Sequence, residues 1–196
     1  FQSFVIKTKP VVAMNFKDAC KLSMVSFTAA ETGTNIGINS WHWNFGDGSN
    51  DIGNPVIHAY NTSRTYTVKM YGISTEGCSS DTIQAPINIY GTDAFAGNDV
   101  MAAANQPIQL NATGGISFNW TPSIGLSNPN ISNPVATNNV DRTYEVLITD
   151  RFGCTNKDDI NIRIYKGPDI YVPTAFSPNN DGVNDLLNLT LVGIKT

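Results

Sequence analysis

Trp41-His42-Trp43-Asn44-Phe45-Gly46-Asp47-Gly48-Ser49 alternates large aromatic residues with polar ones and then breaks into a glycine-rich turn. Successive side chains of a β-strand point to opposite faces, so Trp41, Trp43 and Phe45 share one side while His42 and Asn44 share the other. Gly46 and Gly48 tolerate backbone angles that other residues resist, as a tight turn leaving a strand requires. The stretch predicts a strand with one buried aromatic face, with Trp41 buried alongside Trp43, ending in a sharp turn.

The same rhythm extends in both directions. Val25 and Phe27 share a strand face, as do Tyr66, Val68 and Met70, and Ile83, Ile87 and Ile89 mark a closing strand. Further on, Ile108, Leu110 and Ala112 share a face, then Phe118 and Trp120, then Tyr144, Val146 and Ile148, then Ile160, Ile162 and Ile164. No stretch carries the i, i+3, i+4, i+7 spacing of a helix over three turns. Short alternating runs separated by Gly, Asn, Thr, Ser and Pro are the pattern of a sandwich or barrel.

The chain also repeats itself. Each half has an inward Trp (Trp43, Trp120), a Thr-Tyr-x-Val strand (Thr65 to Val68, Thr143 to Val146), a Gly-Cys pair (Gly77-Cys78, Gly153-Cys154) and an Ile-rich last strand. A period of roughly 76–80 residues is a domain duplication rather than a solenoid repeat. Each unit is about the size of a seven-stranded sandwich.

Composition removes several function classes. Charged residues are 14% of the 196, too few for a disordered acidic or basic tail. The net charge is −4 and no Lys/Arg run exists, which leaves no electrostatic footprint for nucleic acid and no polybasic membrane anchor. No apolar run approaches the roughly 18–20 residues a membrane-spanning helix needs. Phe1-Gln2-Ser3-Phe4-Val5-Ile6-Lys7 has neither an initiator Met nor the basic start of a signal peptide and reads like the end of a preceding strand. The chain is therefore expected to be part of a longer protein.

Three stretches resemble known families. Trp43-Asn44-Phe45-Gly46-Asp47-Gly48-Ser49, followed by His58-Ala59-Tyr60 and Thr65-Tyr66-Thr67-Val68, resembles the PKD domain, whose hallmark is a Trp-Asp-Phe-Gly-Asp-Gly strand and turn, then His-x-Tyr, then Tyr-x-Val. Asn44 replaces the usual Asp at a position that should face solvent. The second unit, with Phe118-Asn119-Trp120-Thr121-Pro122, looks like a related Ig-like repeat of the kind found in surface proteins of gliding bacteria. Val172-Pro173-Thr174-Ala175-Phe176-Ser177-Pro178-Asn179-Asn180-Asp181-Gly182-Val183-Asn184-Asp185 is similar to the start of the gliding-motility-associated C-terminal domain, a type B sorting domain of the type IX secretion system. The resemblances imply an all-β chain of tandem Ig-like (PKD-type) β-sandwiches plus the beginning of a third β domain. The expected division is the end of an upstream domain or linker over 1–9, a PKD-like sandwich over 10–90, a second Ig-like sandwich over 91–166 and the start of a sorting-like domain over 167–196.

Candidate chemistry is sparse. His42 and His58 are the two histidines, and neither has a Ser or Cys nucleophile signature nearby, so no catalytic residue and no organic cofactor is expected. Asp158-Asp159 reads as a solvated strand edge, and no Cys/His pair has zinc spacing. Asn179, Asp181 and Asp185 offer oxygen ligands around a Gly turn, the donor type calcium takes; the competing reading is an Asx-type turn bonded to its own backbone. Cys20 and Cys78 are expected to form a disulfide, leaving Cys154 unpaired, against the alternative of free thiols. Trp41, Trp43 and Trp120 could form a sugar-stacking platform but are better explained as core. Asp81-Thr82-Ile83 resembles the O-glycosylation motif of bacteria that use type IX secretion.

The expected function is a non-enzymatic stalk and C-terminal sorting region of a secreted or cell-surface protein. It would be displayed on the outer face of the outer membrane through a type IX translocon or associated attachment proteins, in a gliding or adhesion role. The alternatives are an accessory region of a secreted enzyme whose catalytic domain lies upstream, or a glycan- or protein-binding module.

Overall fold

The computed structural model describes residues 7–33, 36–165 and 167, and the backbone alone of 169–171 and 190–192. Every regular element among them is a strand. The first sandwich is built from β1 (Val12–Asn15), β2 (Ala19–Cys20), β3 (Val25–Glu31), β4 (Ile38–Asn44), β5 (Asn50–Ile52), β6 (Val56–His58), β7 (Thr65–Ser74) and β8 (Ile83–Tyr90). Its sheets run β1-β3-β6 and β2-β8-β7-β4-β5. The second uses β9 (Val100–Ala103), β10 (Pro107–Gln109), β11 (Ser117–Thr121), β12 (Val135–Thr137), β13 (Arg142–Thr149) and β14 (Thr155–Tyr165), in sheets β10-β12 and β11-β13-β14-β9. β15 (Asp169–Tyr171) pairs antiparallel with β16 (Thr190–Val192).

Two separate hydrophobic cores result. The first gathers Val25, Phe27, Trp43, Phe45, Tyr60, Tyr66, Val68, Met70, Ile87 and Ile89. The second gathers Leu110, Ala112, Trp120, Tyr144, Val146, Ile148, Ile160 and Ile162. The period-2 faces read from the sequence supply both cores, because only alternate residues of a sheet can reach the opposite layer. Trp41 departs from its expected burial. It is half-buried against the first core, its ring lying over Gly72, after a register shift between Ile38 and Ser40.

The repeat is structural in detail. The indole Nε1 of Trp43 donates to Gly53 O and that of Trp120 to Ile131 O, each at 2.9 Å. Tyr66 and Tyr144 anchor the equivalent strands β7 and β13: Tyr66 donates to Thr62 O at 3.2 Å, and Tyr144 to Ile124 O at 2.7 Å. β2 pairs parallel with β8, and β9 parallel with β14. One aspartate clasps each parallel pair. Asp18 accepts from the backbone N and side-chain Nδ2 of Asn88 at 2.8 and 3.0 Å, and Asp99 accepts from the same two atoms of Asn161 at 2.9 and 3.2 Å. Those two hydrogen bonds, side chain then backbone, hold the Asp18 carboxyl below its ordinary pKa. Thr65 and Thr143 complete the clasps by donating to the two asparagines at 2.8 and 2.6 Å. Asp158, expected as a solvated edge, instead accepts from Ala96 N at 2.7 Å and pins the incoming chain of the second sandwich.

The disulfide differs from expectation. Cys20 bonds to Cys154 across the two sandwiches, and Cys78 is free. The reason is distance along the sheet. Cys20 lies beside Tyr90 at the end of β8, whereas Cys78 lies in the hairpin that precedes β8. At about 3.4 Å per residue, β8 alone separates them by some 20 Å, while a disulfide needs Cα atoms within about 7 Å.

The turn after β4 gives a direct test. Gly46 and Gly48 both have positive φ, 81° and 101°. A Cβ on Gly46 would meet Thr67 O at 2.6 Å, while one on Gly48 meets nothing within 4 Å. Gly48→Ala should cost about 1–2 kcal/mol of backbone strain, and Gly46→Ala more than about 3 kcal/mol because a clash with β7 backbone is added. Urea denaturation of the two variants, followed by tryptophan fluorescence, checks the order.

Candidate functional site

Three places in the described residues combine polar chemistry with defined geometry. The first is the turn after β4. Asp47 accepts from Ser49 N at 3.0 Å, from the Ser49 hydroxyl, and from His58 Nε2 at 2.7 Å. His58 stacks on Phe45 at 4.1 Å and meets the edge of Tyr60 at 4.7 Å. Ser, His and Asp therefore converge, but not as a nucleophile relay. Ser49 Oγ, 3.4 Å away, and Asp47 both face the same ring nitrogen, so no second nitrogen is oriented by the acid. The cluster staples the turn to β6. Burial pushes the Asp47 carboxyl up, yet the hydrogen bonds from Ser49 and His58 outweigh it and hold the carboxyl at about 2. Tyr60, buried beside the Asp47 charge, is pushed up well above the ordinary phenol range.

The second is a shallow groove of about 440 Å³ on the outer face of β4, β5 and β7. His42 and Tyr71 stack there at 4.7 Å with their rings 4° from parallel, flanked by Asn50, Asp51 and Lys69. Trp43 and Trp120 are only 2% and 1% exposed, so they serve the cores and present no platform for a sugar.

The third is the junction between the sandwiches. Cys20 and Cys154 are joined with their Cα atoms 5.6 Å apart. The ring of Tyr90, at the end of β8, stacks on Phe152 of the β13–β14 hairpin with centroids 3.7 Å apart and planes 16° from parallel. Lys21 Nζ reaches Asp93 Oδ1 at 2.6 Å, and Asn156 Nδ2 donates to Thr92 O at 2.9 Å. The hydrogen bond and charge of Lys21 hold the Asp93 carboxyl below its ordinary pKa. The hydroxyl of Tyr90 donates to Asp18 at 3.0 Å, which ties the stack to the β2–β8 clasp. A covalent bond, a ring stack, an ion pair and a linker hydrogen bond thus act on one short connection.

The sequence missed Cys154 as the partner of Cys20. A signal was present: the Gly-Cys pair recurs in both units, so Cys78 and Cys154 hold equivalent positions and ask for equivalent partners. The candidate calcium ligands Asn179, Asp181 and Asp185 lie outside the described residues, as does the sorting-like stretch 172–185. Among the described residues no group of three or more His, Cys, Asp or Glu side chains is placed to hold a metal ion. No helix among them is long and apolar enough to cross a membrane.

Asp47 sets an acid response. Its pKa is lower in the folded state, about 2, than the ordinary 3.8, so its contribution to stability is complete above pH 4 and is lost as pH falls through 3.8 toward 2. Melting temperature measured between pH 5 and 2 should fall for the native chain. Asp47→Asn should start lower, by about 1–3 kcal/mol, and fall less steeply across the same window.

No curated protein matches the chain. Among solved structures, the PKD1 domain of the Vibrio cholerae metalloprotease PrtV aligns at 23% identity over 42% of this chain and 98% of its own, with a TM-score of 0.38. The PKD1 domain of Vibrio anguillarum Epp aligns at 19% identity over 42% of this chain and 98% of its own, with a TM-score of 0.37. The D00-D0 domain of Intimin aligns at 13% identity over 80% of this chain and 100% of its own, with a TM-score of 0.44. Residues 7–89, the span of the first sandwich, match the family model of the PKD domain, and PKD and Ig-like domains are typically non-catalytic modules.

Proposed function

We propose that this chain is a braced spacer in a secreted or cell-surface protein: its sandwiches hold a functional region away from the point of attachment, and the residues from 167 onward open a domain read by a type IX secretion translocon. The observation that carries the spacer reading is the Cys20–Cys154 bridge, reinforced by the Tyr90–Phe152 stack. A linker meant only to tether would need neither. Each sandwich has its own core, so the bridge acts on the relation between them rather than on the fold of either. The disulfide also suits an oxidising compartment, in keeping with the commonly extracellular occurrence of PKD domains. The type IX reading rests on the Val172 to Asp185 sequence alone.

Two experiments test the parts separately. Small-angle X-ray scattering should give a narrow range of inter-sandwich arrangements for the oxidised chain. The range should be broader for the Cys20→Ser, Cys154→Ser double variant, with both sandwiches still folded by circular dichroism. Equal distributions would remove the bracing role. For export, deletion of residues 172–185 from the native gene should retain the protein inside the outer membrane. Unchanged surface display would remove the type IX reading and leave the spacer reading standing.

A further inference from the structure

Cys78 and Cys154 occupy the same turn in the two sandwiches. In the first, Ser74 N donates to Cys78 O at 2.9 Å, Gly77 N donates to Ser74 O at 2.9 Å, and Cys78 N donates to the Ser74 hydroxyl at 3.0 Å. In the second, Asp150 N donates to Cys154 O at 2.9 Å, Gly153 N donates to Asp150 O at 3.1 Å, and Cys154 N donates to Asp150 Oδ1 at 2.9 Å. One of these equivalent cysteines is bonded to the sandwich before it, and the other is free and half-buried.

The chain enters each sandwich beside this hairpin. Thr92, on the way into the second, accepts from Asn156, two residues beyond Cys154. Lys7, on the way into the first, donates from Nζ to Glu76 O at 2.7 Å, two residues before Cys78, and Lys9 pairs with Asp81. A structural unit preceding residue 7 would therefore emerge next to Cys78, as the first sandwich emerges next to Cys154.

The other half of the link is also a repeated position. Cys20 follows the clasp residue Asp18 by two and faces Tyr90 on β8. Counting from the equivalent clasp Asp99, the second sandwich holds Met101 at that position, facing Arg163 on β14. Met101 is 66% exposed and brings no thiol to that position. Cysteines are thus present at the two positions that meet across the described junction, and the second sandwich has none at its counterpart of Cys20.

We propose that Cys78 is a second inter-module disulfide site. Its partner is a cysteine of a preceding β-sandwich, at that sandwich's counterpart of Cys20, two residues after its clasp aspartate. The two thiols lose their protons, the sulfur–sulfur bond forms between the sandwiches, and the two electrons pass to the disulfide of a thiol–disulfide oxidase, which becomes a dithiol. The first sandwich is then an internal member of a disulfide-laddered array, bonded to a neighbour on each side. The inference deepens the spacer reading, rests on it for the braced junction, and adds the requirement of a sandwich before residue 7.

The test is peptide mapping of the full-length oxidised protein from its native host, alkylated and digested without reduction. The Cys78 peptide should be linked to a cysteine peptide from before Phe1, and the link should vanish on reduction. In the 196-residue chain alone, one thiol should react with a maleimide before reduction, and Cys78→Ser should abolish that reaction without changing the melt. An alkylated Cys78 in the full-length protein, or a bond to Cys78 of a second copy, overturns the proposal. So does an unreactive Cys78 in the 196-residue chain. If no β-sandwich precedes the first, the array falls while the bracing of the two described sandwiches stands; if one does and Cys78 is alkylated, only the link falls.

Discussion

Each sandwich closes around one buried indole whose N–H must find an acceptor inside the protein. A buried donor left unpaired costs roughly 1–3 kcal/mol, so the acceptor position is as constrained as the ring. Trp43 finds Gly53 O and Trp120 finds Ile131 O, both in segments that follow the tryptophan strand. That single bond places a loop against the ring and sets where the following strand begins. Around it the two cores are filled differently. The first surrounds Trp43 with Phe27 at 5.8 Å, and Phe27 in turn contacts Phe45 and Phe16 at 5.0 and 5.1 Å. The second combines Trp120 and Tyr144 with aliphatic residues and buried alanines, Ala96, Ala102, Ala112 and Ala136. The hydrogen-bonding frame is kept while the packing varies.

The strand β2 links this frame to the neighbouring sandwich. It is short, it lies at the edge of its sheet, and the Asp18 clasp holds it parallel to β8. An edge strand has one side without a partner strand, and such edges are commonly shortened or covered. Here Cys20 at the end of β2 is taken by the next sandwich, and Tyr90 at the end of β8 is covered by Phe152. The ion pair Lys21–Asp93 is exposed on the Asp93 side and adds little beside the covalent bond and the stack. The junction is therefore ordered mainly by its disulfide and its aromatic pair.

Among the described residues, the Ser49-His58-Asp47 grouping holds a turn, with Asp47 accepting from both Ser49 N and Oγ and from His58. The features that recur from one sandwich to the next are structural: the indole bond, the tyrosine anchor, the aspartate clasp and the hairpin that carries a cysteine. That distribution fits the proposed spacer, whose task would be to keep the same geometry from unit to unit.

The sequence alone determined the all-β class, the duplication and most of the core, though not Val12, Val56, Tyr60 or the buried alanines Ala96, Ala102 and Ala136. These follow from a period of two along single strands, and from turn residues whose conformational demands are local. Trp43, Tyr66, Val68, Trp120, Tyr144 and Ile162 could be assigned inward without knowing any partner strand. Trp41 could not, because its half-buried place depends on Gly72 across the sheet and on a register shift in between. The role of Asp158 depended on where the chain enters the second sandwich. The disulfide was decided by tertiary structure. Cys20 and Cys154 are 134 residues apart, and only the stacking of one folded unit on the next brings them together, while the length of β8 keeps the nearer Cys78 out of reach. Local alternation reports which face of a strand is buried; it carries no information about which end of one sandwich meets which hairpin of another.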